Sequence, residues 1–159
     1  MTRLPSLGPR GEGWVILQAI LLVGIAGAGV WLGPAWTGAA RAVTLVAGLG
    51  LLAVGWFGVV RGVSDLREQV TPFPHPGDGT RLIESGAYRL VRHPIYAGLI
   101  VGAFGWGLVA ASPGALAGAG LLLLLFDLKS RREEAWLVDR FPAYEAYRAR
   151  TRRFFPGLY

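Results

Sequence analysis

The sequence predicts an all-α, polytopic membrane protein with about four transmembrane helices, a long connector and an interfacial helix near the C-terminus. Three observations predict it. The composition is 53% hydrophobic and only 16% charged, whereas soluble domains carry about a quarter charged residues. The apolar residues gather into four runs, 14–32, 42–60, 95–111 and 114–128, the longest near the ~20 residues that cross a bilayer. Positive charge is distributed unevenly between those runs.

The first run is broken only by Gln18. It is too long for a signal-peptide core and further runs follow it, so it reads as a retained anchor. The second run carries no charge. The polar connector 61–94 holds Pro72, Pro74 and Pro76, and His75 lies in the loop sequence Pro74-His75-Pro76-Gly77-Asp78-Gly79. The third run ends at Ser112-Pro113-Gly114, a turn in which Pro113 suits the first turn of the next helix. The fourth run is short for a span, but nothing breaks the helix at Leu128, and Lys129 to Leu137 are mostly good helix formers. A single helix is therefore expected from about 113 to about 140, roughly 40 Å long at ~1.5 Å per residue and leaving the lipid partway. In the tail, Phe141, Tyr144, Tyr147, Phe154 and Phe155 alternate with arginines. That pattern suits a short helix in the headgroup region, either as an anchor or as a lid over a site.

Four spans put the N-terminus, the connector and the C-terminus on one side. Of the 16 Lys and Arg, only Arg41 falls on the other side. The positive-inside rule then places both termini in the cytoplasm, as expected for an integral protein of a bacterial inner membrane. The net charge of +6 thus serves orientation, and no nucleic-acid partner is expected, because the basic residues are not laid out with aromatics as an RNA surface requires. The chain has no cysteine, which excludes disulfides and thiolate chemistry. Two histidines without a zinc-type spacing give no metal site. Gly48-Leu49-Gly50-Leu51-Leu52-Ala53 matches GxGxxA formally, but it lies inside a span with no strand before it and is set aside as a dinucleotide site.

The last two runs form a hairpin turning at Ser112-Pro113 with nearly equal arms, so His93 and Glu133 are expected at one depth near the membrane surface. Arg92, Tyr96, Lys129, Arg132 and Glu134 fall around them. Ionisable groups at membrane depth usually face a bundle interior or cavity. Each also has a plainer reading: Arg92-His93-Pro94 as a helix start, Glu133-Glu134 as a solvated face paired with Lys129 or Arg131, and Trp106 and Trp136 as interface aromatics. Gly98, Gly102 and Gly105 form a smooth stripe on helix three that suits close helix packing or room for a flat ligand ring.

Ser85-Gly86-Ala87-Tyr88-Arg89-Leu90-Val91-Arg92-His93-Pro94-Ile95-Tyr96-Ala97-Gly98 resembles the S-G-x-Y-x-x-x-R-H-P-x-Y-x-G signature of the isoprenylcysteine carboxyl methyltransferases. These are grouped with the bacterial and phospholipid membrane methyltransferases. The similarity continues through Glu133-Glu134, Leu137, Phe141, Tyr144, Tyr147, Thr151, Arg152 and Pro156, so it covers 82–156. The resemblance implies an integral membrane enzyme that uses S-adenosyl-L-methionine, with Leu82, Ile83, Tyr88, His93, Tyr96 and Glu133 at the cofactor and Gly98 and Glu134 beside them. It implies catalytic positions at Lys129, Arg132 and Arg92. Lys129 stands where the isoprenylcysteine enzymes carry arginine, and lysine lacks the bidentate fork for a carboxylate. Pro142 replaces the usual glycine after Phe141. The whole chain, 1–159, then reads as one methyltransferase-like domain, with 61–94 and 129–159 as its cytoplasmic cofactor-site segments. The partners expected are the bilayer and a lipophilic or small methyl acceptor bearing a thiol, amine or carboxylate. A sterol-reductase-like NADPH oxidoreductase and a non-catalytic membrane scaffold are the alternatives.

Overall fold

The computed structural model describes residues 5–73, 75 and 79–158. Arg3 of the charge count, and Pro74, Pro76, Gly77 and Asp78 of the proline loop, lie outside the described residues. Four long helices are present: α1 (Glu12–Trp31), α2 (Gly38–Leu66), α3 (Pro94–Val109) and α4 (Pro113–Arg140), followed by a short α5 (Tyr144–Arg150). No strand is found among the described residues. α1, α2 and α4 are each long and apolar enough to cross a membrane, and α3 is a shorter apolar helix of 16 residues.

Lipid-facing chemistry accounts for the outside of the bundle. Ile16, Ile20 and Val23 on α1, and Val43, Val46, Trp56 and Phe57 on α2, are exposed. In water such a surface would be a large apolar patch; against hydrocarbon tails it is the expected one. The core lies between α1, α3 and α4, around Ile25, Ile100, Ala119, Leu122 and Phe126.

α2 and α3 pack on glycine. Gly48, Gly55 and Gly62 recur at heptad spacing along α2 and all are buried. A Cβ on Gly55 would lie 2.6 Å from the Gly98 carbonyl oxygen, and one on Gly98 would lie 2.6 Å from the Gly55 carbonyl oxygen. The stripe on α3 is thus a packing surface at Gly98 and Gly105, while a Cβ on Gly102 would meet open space. Gly48, the first glycine of the formal GxGxxA match, packs against Gly105 in the same seam. In lipid no hydrophobic force drives helices together, so close backbone approach through small residues holds the pair. Gly55→Ala is expected to destabilise the protein by ~1–3 kcal/mol, the cost of overpacking a contact whose neighbours are backbone. Thermal melting in detergent would show it, with Gly50→Ala, where a Cβ meets nothing, as the silent control.

The α3–α4 turn follows the sequence closely. Ala110 leaves the helix, Ala111 takes a left-handed φ of 51°, and Ser112 caps α4 by accepting from the Ala115 N–H at 3.2 Å. The Ser112 hydroxyl donates to the Ala28 carbonyl at 2.9 Å, and the Trp106 indole donates to the Ile25 carbonyl at 3.2 Å. Trp106 therefore ties α3 to α1. Beyond the turn, α4 runs unbroken to Arg140, past the apolar run 114–128.

The tail's aromatic residues point inward. Tyr144, Tyr147 and Phe154 are buried, and the Tyr147 hydroxyl donates to the Tyr88 carbonyl at 2.6 Å. The chain beyond α5 then runs alongside the residues before α3, where the Arg92 and His93 N–H groups donate to the Arg152 and Arg153 carbonyls at 2.8 and 3.1 Å. α5 thereby closes one end of the bundle.

Candidate active site at one end of the bundle

The hairpin brings His93 and Glu133 level, with His93 Nδ1 3.8 Å from Glu133 Oε2. Tyr96 follows His93 by one helical turn and so shares its face. Its hydroxyl donates to Glu133 Oε2 at 3.0 Å. The rings of His93 and Tyr96 are parallel, with centroids 5.3 Å apart, and Tyr96 stacks on Phe126 at 4.5 Å. Tyr96 is therefore held on both faces while its hydroxyl aims Glu133.

Lys129 precedes Glu133 by four residues and lies on the same side of α4. It is 1% exposed. Its ammonium donates to Gln18 Oε1 at 2.6 Å and to the Pro72 carbonyl at 3.3 Å, and it sits 5.0 Å from the Tyr96 ring centroid. A lysine buried this deeply needs such partners.

These groups border a cavity of about 340 Å³ lined by residues of α1, α2, α3, α4, the connector and α5. Of the residues singled out from sequence, Leu82, Ile83, Tyr88, Arg92, His93, Tyr96, Lys129 and Glu133 line it. Gly98, Arg132 and Glu134 do not. Gly98 is occupied by its contact with Gly55. The Arg132 guanidinium lies over the Trp136 ring at 4.2 Å. Glu134 points away from Glu133, because successive residues project about 100° apart around a helix of ~3.6 residues per turn. There it accepts from Arg92 Nε at 2.8 Å, from His93 Nε2 at 3.2 Å and from Arg153 Nε at 3.3 Å. An ionised carboxylate only accepts, so the proton in the His93–Glu134 bond sits on Nε2. Arg92 also donates to the Thr151 carbonyl at 2.5 Å. Glu134 is thus an ionic tie between the start of α3, α4 and the tail.

The signature's glycine has a local reason. Gly86 has a φ of +61°, and a Cβ there would collide with the Asp65 carboxylate. That carboxylate accepts the Ala87 N–H at 2.7 Å and fixes the 3-10 turn Gly86–Arg89, which delivers Tyr88 to the cavity.

Some lining groups escaped the sequence reading. Gln18 was visible only as the single polar interruption of an apolar run, which is itself the signal expected of a group facing a cavity. The Pro72 carbonyl carried no signal. Tyr144 and Tyr147 line the cavity, and the Tyr144 hydroxyl is buried with no hydrogen-bond partner among the described residues. Burial pushes the Tyr88 phenol above its ordinary value, and Glu133 adds to the shift. Burial does the same at Tyr144, reinforced by Glu134 and Glu133. Both phenols therefore stay protonated and can donate.

The family model for phospholipid methyltransferases matches residues 43–143. The match takes in most of α2, upstream of the stretch that carries the signature, and stops just before α5. The cobalt-zinc-cadmium resistance protein CzcN of Cupriavidus metallidurans is 38% identical over 81 residues, which cover 48% of this chain and 36% of that protein. The nickel-cobalt-cadmium resistance protein NccN of Alcaligenes xylosoxydans xylosoxydans is 30% identical over 148 residues, 91% of this chain and 62% of that protein. The matched part is thus less than two thirds of the length of either relative.

Proposed function

Because this chain belongs to the phospholipid methyltransferase family, we propose that it transfers a methyl group from S-adenosylmethionine to a lipophilic or small acceptor bearing a thiol, amine or carboxylate. One observation carries the reading: Glu133, with its side chain 24% exposed, presents a carboxylate to a cavity that also has aromatic and apolar walls.

The residues present fit that cofactor. A cavity of about 340 Å³ lies within the ~300–1,000 Å³ usual for small-molecule sites. Glu133 offers a carboxylate for the amino group. Tyr88 offers a ring face to a sulfonium through cation–π attraction. Leu82 and Ile83 form an apolar wall suited to adenine. The Tyr144 hydroxyl, buried without a partner among the described residues, has hydrogen-bonding capacity to give to a ligand. The cofactor would supply an electrophilic methyl group for in-line displacement. What the protein must add to such a reaction is chiefly position. Tyr96 holds Glu133 through its hydroxyl, and Lys129 stands one turn away as the group that orients the acceptor. In this reading both termini face the cytoplasm, the cofactor enters from there, and the acceptor comes from the bilayer past Val63, Leu66, Ile95 and Leu99, which form the apolar side of the cavity.

Calorimetry of the purified protein in detergent tests the proposal. Micromolar binding of S-adenosylhomocysteine is expected. Binding of NADPH instead would favour an oxidoreductase, and binding of neither a scaffold. Lys129→Ala is expected to slow turnover by ~10- to 100-fold, the cost of a misplaced reactant, while S-adenosylhomocysteine affinity stays close to that of the unaltered protein. A large loss of that affinity would show that Lys129 serves the cofactor rather than the acceptor.

A further inference from the structure

A second hollow, of about 310 Å³, opens on the tail side of α4. Five arginines line it: Arg92, Arg131, Arg148, Arg152 and Arg153, together with Thr151. Among the described residues, two carboxylates offset part of this charge. Asp127 pairs with Arg131 at 2.8 Å and with Arg153 at 2.6 Å, and Glu134 pairs with Arg92 and Arg153 at 2.8 and 3.3 Å. Among the described residues, no carboxylate pairs with Arg148 or Arg152. Arg148 and Arg152 therefore bring positive charge into the concave space without a carboxylate partner among the described residues, and like charges repel unless an anion joins them.

The hollow is held in shape by its backbone. Arg92 Nη1 donates to the carbonyls of Arg148 and Thr151 at 3.3 and 2.5 Å, and the Arg92 N–H donates to the Arg152 carbonyl at 2.8 Å. The Thr151 hydroxyl donates to the Tyr147 carbonyl at 2.7 Å, which leaves recognition to the guanidinium groups. Guanidinium forks match the oxygens of phosphate, and several of them converging favour a phosphate over a single carboxylate.

We propose that this arginine cleft is a binding site for a phosphate group, carried by a lipid headgroup or free in solution. Leu158 lines its rim and is 85% exposed, which offers an apolar contact beside the charged floor. The site does not depend on the methyl-transfer reading, because Arg148 and Arg152 do not line the first cavity. Arg92 lines both hollows, so an anion in the cleft would bear on the arginine that holds Glu134.

The full chain in neutral detergent is titrated with dioctanoyl phosphatidylglycerol, with dioctanoylglycerol, which lacks the phosphate, and with inorganic phosphate. Saturable binding of the phosphatidylglycerol and no binding of dioctanoylglycerol is expected. The Arg148→Gln/Arg152→Gln variant should bind at least tenfold more weakly with an unchanged melting temperature. Arg148→Gln alone, a change at an exposed residue, should show a smaller loss and serves if the double variant fails to fold. Binding of inorganic phosphate at comparable concentration assigns the site to free phosphate, and binding of the lipid alone assigns it to a headgroup. Equal binding of dioctanoylglycerol, unchanged affinity in the variants, or no saturable binding of either phosphate compound overturns the proposal.

Discussion

Replacing Glu133 by alanine is expected to abolish measurable S-adenosylhomocysteine binding and to leave the melting temperature nearly unchanged. Glu133 faces the cavity and takes its protein contacts from the Tyr96 hydroxyl at 3.0 Å and His93 at 3.8 Å. Removing one partner of a buried, hydrogen-bonded charge pair costs a complex ~2–5 kcal/mol, or roughly 30-fold and upward in affinity. The fold loses little, because the same carboxylate is partly open to the cavity rather than locked into an ion pair. Calorimetry and melting on one preparation separate the two effects. Wild-type affinity in Glu133→Ala would sink the cofactor assignment.

The neighbouring substitution should do the reverse. Glu134→Ala is expected to destabilise the protein by ~3–5 kcal/mol, the cost of removing one side of a buried ionic cluster. Glu134 is 3% exposed and joins Arg92, His93 and Arg153. Without it the Arg92 guanidinium, whose side chain is 8% exposed, keeps only carbonyl partners among the described residues, and the tail loses its ionic tie to the start of α3. Melting in detergent should show the loss directly. Cofactor affinity in the fraction that remains folded should fall far less than in Glu133→Ala. A Glu134→Ala protein with full stability and no cofactor binding would place Glu134 at the cavity instead.

The hairpin geometry was legible in the sequence because it depends only on counting. Equal arms about Ser112-Pro113 put His93 and Glu133 at one level, and the absence of any breaker after Leu128 extended α4 to Arg140. Which way each side chain faces was not legible. Glu133 and Glu134 are identical residues side by side, and only the positions of α3 and the tail make one a cavity group and the other a structural tie. The glycine stripe carried the same ambiguity. Gly98 suited a ligand or a helix, and the heptad glycines of α2 decided it by lying opposite. Gln18 lies 111 positions before Lys129, so no local pattern could pair them.

By itself, the sequence determined the class of the protein and the level at which its polar residues gather. Hydropathy, charge placement and helix propensity are local properties, and a bilayer reads them directly. It also carried the signature that places the chain in its family. Only the tertiary structure decided which of those residues share a cavity, which lock the tail to the bundle, and where five arginines converge. Those are contacts between segments far apart in the chain, and they arise from packing in three dimensions rather than from any periodicity along it.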